Sequence, residues 1–146
     1  MIITQMNETH VPEIAELERI CFNDPWSENS IASELNNRLS LWFVALDGER
    51  VVGYVGSQTV LGETDMMNIA VHPDYRNQKI ASSLIDVLVQ GLSEHNSHSL
   101  MLEVRESNHP AIALYRKHGF EEVGIRRNYY RNPKENALIL RKEWAL

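Results

Sequence analysis

The sequence predicts an α/β fold, a mixed central sheet of about seven strands flanked by about four helices, and three observations carry that expectation. Segments of alternating apolar residues interleave with segments that repeat every three to four residues, in the order β-α-α-β-β-β-α-β-α-β-β. Helices fall between central strands, which implies a sheet covered on both faces. The 146 residues contain no internal repeat, low-complexity tract or Pro/Gly/Ser-rich linker, so residues 1–146 read as a single domain.

Taken in order, Met1 to Gln5 reads as a short first strand. From Val11 the apolar positions Val11, Ile14, Leu17 and Cys21 recur at helical spacing, with Thr9 or His10 at the entry and Pro12 in the first turn. Asp24-Pro25-Trp26 ends that helix, because the residue before a proline is pushed out of the α region. Ser27 then caps a second helix through Leu35. Leu41 to Leu46 and Val51 to Val60 read as strands joined by a hairpin turn at Asp47-Gly48. Thr64 to Val71 is a further strand, stopped by His72-Pro73. Ile80, Leu84, Ile85, Leu88 and Leu92 form the stripe of a third helix. Ser99 to Arg105 alternates as a strand, and Pro110 to His118 is a short helix closed by Gly119. Glu121 to Ile125 and Ala137 to Arg141 complete the set.

Apolar residues make up 43% of the chain and charged ones 23%, as in ordinary globular proteins. The net charge of −6 argues against direct nucleic-acid binding, which asks for a basic face. A single cysteine, Cys21, excludes an intrachain disulfide. With no signal peptide it points to a reducing, cytoplasmic compartment. No apolar run approaches the roughly 20 residues that span a bilayer, so a soluble protein without a membrane partner is expected. The six histidines are scattered and show no zinc-ligand spacing, so no metal is expected.

Two stretches carry chemistry. In Met67 to Leu84 a strand stops at a proline, a polar turn follows, and a helix starts. Several N–H groups at such a helix start lack partners, and the macrodipole favours an anion there. Small residues Ala81, Ser82 and Ser83 allow close approach, and Arg76 and Lys79 add positive charge. The same layout also serves as a plain strand-turn-helix crossover. Neither G-x-G-x-x-G nor a Walker P-loop is present, which disfavours dinucleotide and nucleoside triphosphate sites.

The second stretch is Leu102 to Phe120. Alternation puts Met101, Glu103 and Arg105 on one face of their strand and Leu100, Leu102 and Val104 on the other. Glu103 is then either a titrating carboxylate in an apolar strand or a solvated residue paired with Arg105 or another cation. Asn108 and Tyr115 are seven apart, about two helical turns, and share a stripe with Ala111 between them. Tyr115 reads either as a functional phenol or as a core aromatic.

The run N-I-A-V-H-P-D-Y-R-N-Q-K-I-A, Asn68 to Ala81, resembles the acetyl-CoA motif of the GNAT acetyltransferase superfamily, usually R/Q-x-x-G-x-G/A. Arg76 opens the motif and Ala81 closes it, while Lys79 stands at the glycine position, where lysine either adopts helical angles or strains the loop. C-F-N-D-P-W-S (Cys21 to Ser27), L-E-V-R-E-S-N (Leu102 to Asn108), A-L-Y-R-K-H-G-F (Ala113 to Phe120) and R-R-N-Y-Y (Arg126 to Tyr130) sharpen the likeness. Together they are similar to the branch of that superfamily that acetylates the N-terminal alanine of a small-subunit ribosomal protein.

The resemblance implies acetyl-CoA as acetyl donor and a ribosomal protein N-terminus as acceptor. It implies Glu103 as general base, Tyr115 as general acid and Asn108 as a cofactor contact. By the same likeness Ile69, Ala70 and Val71 offer main-chain groups to the pantetheine arm and thioester, and Asn77, Gln78, Lys79, Ile80, Ala81 and Ser82 wrap the pyrophosphate. The Pro-Trp turn and the Arg126 to Tyr130 loop flank the peptide entrance. The chemistry suits the residue types, since an α-amino group with a reference pKa of about 7.7–8.0 needs only a weak base. Cys21 as a covalent acetyl carrier is the rival mechanism, but it lies in an apolar stripe with no base near in sequence. A small-molecule amine as acceptor, or a non-catalytic acyl-CoA-binding module, are the alternative functions.

Overall fold

A computed structural model describes residues 1–145. Seven strands form one sheet in the order β1-β2-β3-β4-β5-β7-β6. The strands are β1 (Ile2–Gln5), β2 (Ser40–Asp47), β3 (Arg50–Val60), β4 (Glu63–Val71), β5 (Ser99–Arg105), β6 (Glu121–Tyr130) and β7 (Glu135–Glu143). The helices are α1 (Val11–Cys21), α2 (Glu28–Glu34), α3 (Ile80–Glu94) and α4 (His109–Lys117), with 3-10 turns at Glu8–His10 and Pro73–Tyr75. The predicted α/β class, element order and count all hold. β6 and β7 run well past their predicted ends, because they pair with each other as a long hairpin whose polar tip carries no apolar alternation.

Two apolar clusters cover the two faces of the sheet. On one face α3 buries Ile80, Leu84, Ile85, Leu88 and Leu92 against Val52, Val55, Leu100, Leu102 and Leu140. Each such side chain contributes about 1.5–3 kcal/mol, so the stripe of α3 alone supplies on the order of 10 kcal/mol before entropy is charged. On the other face α1 and α2 bury Val11, Ile14, Leu17 and Ile31 against Trp42, Val44 and Tyr54. Gly56 is required there, since a Cβ would run into the Trp42 indole. Gly119 closes α4 at φ 86°, a left-handed angle that glycine adopts at no steric cost.

β1 to β4 form an antiparallel meander, and β5 then joins β4 in parallel. That parallel ladder holds only Glu63, Thr64 and Asp65 against Ser99, Leu100 and Met101. Beyond it the two strands run on to Val71 and Arg105 without pairing. The cause lies in β4, where Gly56 pairs Asn68 and Ser57 pairs Met66, leaving Met67 as an extra residue. Such a bulge bends its strand and raises its twist. β5 meanwhile pairs with β7 along its whole length, from Ser99–Glu143 to Arg105–Ala137. One strand bends while its neighbour stays straight, and a split opens between them.

A buried carboxylate braces the bent strand from behind. Glu18 sits on the apolar face of α1, one turn after Ile14, and is 1% exposed. It accepts the Trp26 N–H at 2.8 Å, the Asn68 side-chain amide at 2.7 Å and the Tyr54 hydroxyl. Desolvation pushes its carboxyl above the usual range, and the bonds from Trp26 and Asn68 pull it back. Glu18 therefore ties the α1–α2 connection to β3 and to the bulge of β4.

The start of α3 departs from the helical reading. Lys79 is the N-cap at φ 62°, ψ 21°, left-handed and not helical, and Asn77 is at φ 63°. The turn out of β4 reverses too sharply for right-handed residues, so lysine takes the angles that the family motif assigns to glycine.

Glu18→Ala leaves three donors without their acceptor in the interior and is expected to cost roughly 3 kcal/mol, read as a lowered urea midpoint at unchanged slope. Lys79→Gly relieves the left-handed strain but loosens the unfolded chain. The expected net gain is about 0.5–1 kcal/mol, a rise of about 3 °C in Tm. A drop in Tm would show that the Lys79 side chain itself stabilises the turn.

Candidate active site

The first part of the site is main chain. Among the described residues the N–H groups of Asn77, Gln78, Lys79, Ile80, Ala81 and Ser82 have no hydrogen-bond partner, and the first helical bond of α3 runs from Ser83 N–H to Lys79 O at 3.0 Å. Lys79 makes no side-chain cap and no acidic residue stands in the first turn, so neither a cap nor a first-turn carboxylate neutralises this end of the dipole. The Ile80 side chain is in the core, leaving only its N–H at the surface of the turn. Ser82 Oγ lies 2.6 Å from His118 Nε2. Arg76 folds back over β4, its Nε donating to Val71 O at 3.3 Å with its terminal nitrogen 3.8 Å from Cys21 Sγ. The Cys21 thiol is pushed up by burial, the opposite of an activated nucleophile.

The second part is the unpaired half of β4. The His72 N–H bonds Val52 O at 2.8 Å, and pairs alternate along an antiparallel ladder. Ala70 therefore turns its main chain to Tyr54, whereas Ile69 and Val71 turn theirs toward the split. Val71 O already receives Arg76, and the Ile69 N–H has only the Oδ1 of its neighbour Asn68, at 3.2 Å.

The third part is the acid–base end. Glu103, Met101 and Arg105 lie on the half-buried face of β5, as the alternation predicts, with Leu100, Leu102 and Val104 buried on the other. The Glu103 side chain is 22% exposed and pairs with Arg126 of β6, Nε to Oε1 3.2 Å. Arg105 is occupied elsewhere. It donates to Arg131 O and Pro133 O at 2.9 Å each, pairs with Glu135 at 3.2 Å and lies 4.4 Å from the centre of the Tyr130 ring. One guanidinium thus folds the tip of the β6–β7 hairpin onto β5. Glu135 also accepts the Ser107 N–H at 2.7 Å, and hydrogen bonding from the Ser107 side chain, then its main chain and Arg105, holds the Glu135 carboxyl below the usual range. Across the site, Asn23 of the α1–α2 connection donates to Asn132 O at 2.7 Å, joining the two loops expected to flank the entrance.

Tyr115 is 6% exposed, edge-on to Phe120 at 5.6 Å, and its hydroxyl has no hydrogen-bond partner among the described residues. Burial and then the nearby Tyr130 push its phenol well above the usual range. Tyr130 is itself pushed up to about 12, by burial first and then by Tyr129 and Glu103. Tyr130 is thus the group that feels Glu103 and is felt by Tyr115. Asn108 does not share a helical stripe with Tyr115. It is the N-cap of α4, outside the helix, and its side chain accepts the Ala111 N–H at 3.3 Å, because an Asn before His-Pro is better used as a cap.

Glu18, Arg105 as an anchor and His118 hold roles that the sequence patterns do not assign. Glu18 was detectable as a carboxylate four residues after Ile14 on an apolar stripe. The partners of Arg105 and His118 lie far along the chain and had no local signal. Among the described residues no helix is long and apolar enough to cross a membrane.

Residues 11–120 match the family model described as the acetyltransferase (GNAT) family. The [ribosomal protein bS18]-alanine N-acetyltransferase of Escherichia coli K12 is 37% identical over 140 residues, 94% of each chain. The crystal structure of the ribosomal-protein-S18-alanine N-acetyltransferase from Escherichia coli superposes with a TM-score of 0.91 at 35% identity, covering 99% of this chain and 94% of that one. An aminoglycoside 6'-N-acetyltransferase complexed with coenzyme A shares the fold, with a TM-score of 0.83 at 16% identity over 98% and 97% of the two chains. A family match over most of the sequence, and a relative of this identity matched along nearly its full length, place the chain in the acetyltransferase (GNAT) family.

Proposed function

We propose that the protein transfers the acetyl group of acetyl-CoA to the N-terminal alanine of a ribosomal protein of the bS18 kind. The observation that carries the reading is the joining of two features at one split in the sheet. A run of six free N–H groups opens α3, and a half-buried carboxylate, Glu103, stands on the unpaired half of β5. The choice of acceptor is supported by the relative of known name that aligns over almost the whole chain.

The residues fit the donor. A pyrophosphate needs converging N–H groups and an unneutralised helix start, and Asn77 to Ser82 supply both. An extended amide-bearing arm needs main-chain partners along a strand, and Ile69 and Val71 face the split. Acetyl-CoA supplies an acyl carbon activated as a thioester. Glu103 takes the proton of the incoming ammonium, directly or through a water, so that the amine nitrogen bonds that carbon as the C–S bond breaks. Tyr115 gives its hydroxyl proton to the departing thiolate. The apolar surroundings that hold the Tyr115 proton also disfavour a bare thiolate beside it, so the transfer is not set back by burial alone. Tyr130 and Arg126 line the amine's approach and turn with the hairpin that Arg105 anchors.

Glu103→Gln keeps the shape and removes the base, and should lower kcat on an alanine-starting bS18 peptide roughly 10²-fold. Tyr115→Phe should lower kcat by a constant factor from about pH 6 to about pH 9. Burial carries the ionisation of this phenol beyond the alkaline range, so no basic limb of the wild-type profile belongs to it. Near-wild-type turnover in both variants would remove their assigned roles. Mass spectrometry of ribosomal proteins incubated with the enzyme and acetyl-CoA should find the mark on an alanine amino terminus. Acetylation of small amines in preference to that peptide would replace the proposed acceptor.

A further inference from the structure

His118 is the C-cap of α4, and its ring meets α3 at both nitrogens. Nε2 lies 2.6 Å from Ser82 Oγ, and Nδ1 lies 3.2 Å from Asp86 Oδ1. Ser82 and Asp86 are four apart, one above the other on α3. The imidazole is 13% exposed and the carboxylate 73%. From β7, Lys142 Nζ donates to the main-chain O of His118, and Arg116 and Lys117 occupy the last turn of its own helix.

A carboxylate at Nδ1 selects the tautomer. The neutral ring carries its proton on Nδ1, shares it with Asp86, and accepts the Ser82 hydroxyl proton at Nε2. In that state Ser82 has only lone pairs to offer any other neighbour. Once the ring is protonated both nitrogens donate. Nε2–H then points at Ser82 Oγ, and the hydroxyl proton is released toward the next acceptor. The open side of Ser82 faces the turn, where an anion held by the free N–H groups would be that acceptor. Ser82 is the third residue of α3, its N–H is one of the six free ones, and helical side chains lean toward the N-terminus.

We infer that Ser82, His118 and Asp86 form a proton-linked relay on the cofactor site, which grips the pyrophosphate more tightly when His118 is protonated. The inference rests on the cofactor placement proposed above. His118 acts through Ser82 and is a positioning residue. Protonation adds one positive charge and converts a hydroxyl that faces the anion with lone pairs into one that donates to it. The charged groups around the ring are Asp86 of α3, Lys142 of β7, and Arg116 and Lys117 of its own helix. Imidazoles change charge between about pH 5 and pH 8, so cofactor affinity follows acidity in that interval.

Calorimetry with dephospho-CoA tests this, because it lacks the phosphomonoester that itself titrates near pH 6. The intact wild-type chain should bind roughly fivefold more tightly at about pH 5.5 than at about pH 8.5, the gain expected of one charge-assisted bond. Ser82→Ala and His118→Gln should bind more weakly at the acidic end and flatten the profile to within about twofold. Should the His118 variant fail to fold by circular dichroism, Ser82→Ala decides alone, since it breaks the relay with the imidazole in place. A flat wild-type profile, or an unchanged slope in Ser82→Ala, overturns the relay and leaves the cofactor reading standing. Absence of any dephospho-CoA binding by the wild type overturns both.

Discussion

Everything functional in this molecule depends on β4 and β5 being paired over three residues and no further. A parallel ladder between central strands would ordinarily run their full length, since each main-chain group left dry and unpaired costs free energy. Here the ladder is interrupted by the Met67 bulge on one side and by the complete β5–β7 pairing on the other. The main-chain groups of Ile69 and Val71 are released toward the split. The turn that must follow, from β4 into α3, releases six more N–H groups. A fold of this kind does not decorate a finished surface with a site, because the site is the place where its own hydrogen bonding is incomplete.

Such an opening has to be held, and the bracing comes from buried or half-buried charge. Behind β4, Glu18 gathers Trp26, Tyr54 and Asn68, three donors from three elements, so the bulge cannot relax toward β5 without breaking that set. A buried carboxylate is costly, and it is tolerated because its lone pairs are filled by partners that would otherwise be orphaned themselves. On the far side, Arg105 collects two carbonyls, a carboxylate and an aromatic face at the hairpin tip. The planar fork of arginine reaches several acceptors from one stem, which a lysine at 105 could not reproduce. The two walls meet where Asn23 bonds Asn132.

Much of this was legible in the sequence. The stripe of α3, the alternation of β5, the Ser27 cap, the Asp47-Gly48 turn and the Gly119 stop are local signals, and each element formed where its pattern lay. Glu103 fell on its predicted face for the same reason. What was not legible depends on distant partners. The outer half of β6 carries mostly exposed residues, and the ends of β7 carry polar ones, whose extension comes from pairing and not from propensity. Spacing alone cannot tell a cap from a first turn, so it puts Asn108 on a helix face where the fold makes it the N-cap. Of the two readings open to Lys79, helical or strained, the turn selects the left-handed one. The grouping of Ser82 with His118 spans thirty-six positions and no periodicity reports it.

The two halves of the proposed site are made of different material, and this sets where selectivity would reside. The proposed cofactor half is built of N–H and C=O groups on β4 and the start of α3, which side-chain substitution does not delete. That is why a lysine can stand at position 79 and still leave the six N–H groups free. The proposed acceptor half is built of side chains, Glu103, Arg126, Tyr130, Arg105 and Glu135, held by bonds that a single replacement breaks. A scaffold so divided can keep one donor while its acceptor is exchanged, provided that changes gather on the hairpin and the α1–α2 connection. In this chain the coupling between the halves runs through few contacts. Tyr130 senses Glu103 and is sensed by Tyr115, and Glu18 carries the α1–α2 connection on the same carboxylate that braces β4. A change of acceptor that disturbed Glu18 would reach the donor side as well, whereas the hairpin meets β4 through Arg141 and Glu63, 3.2 Å apart at the end of the strand far from Ile69 and Val71, and is the freer of the two walls to vary.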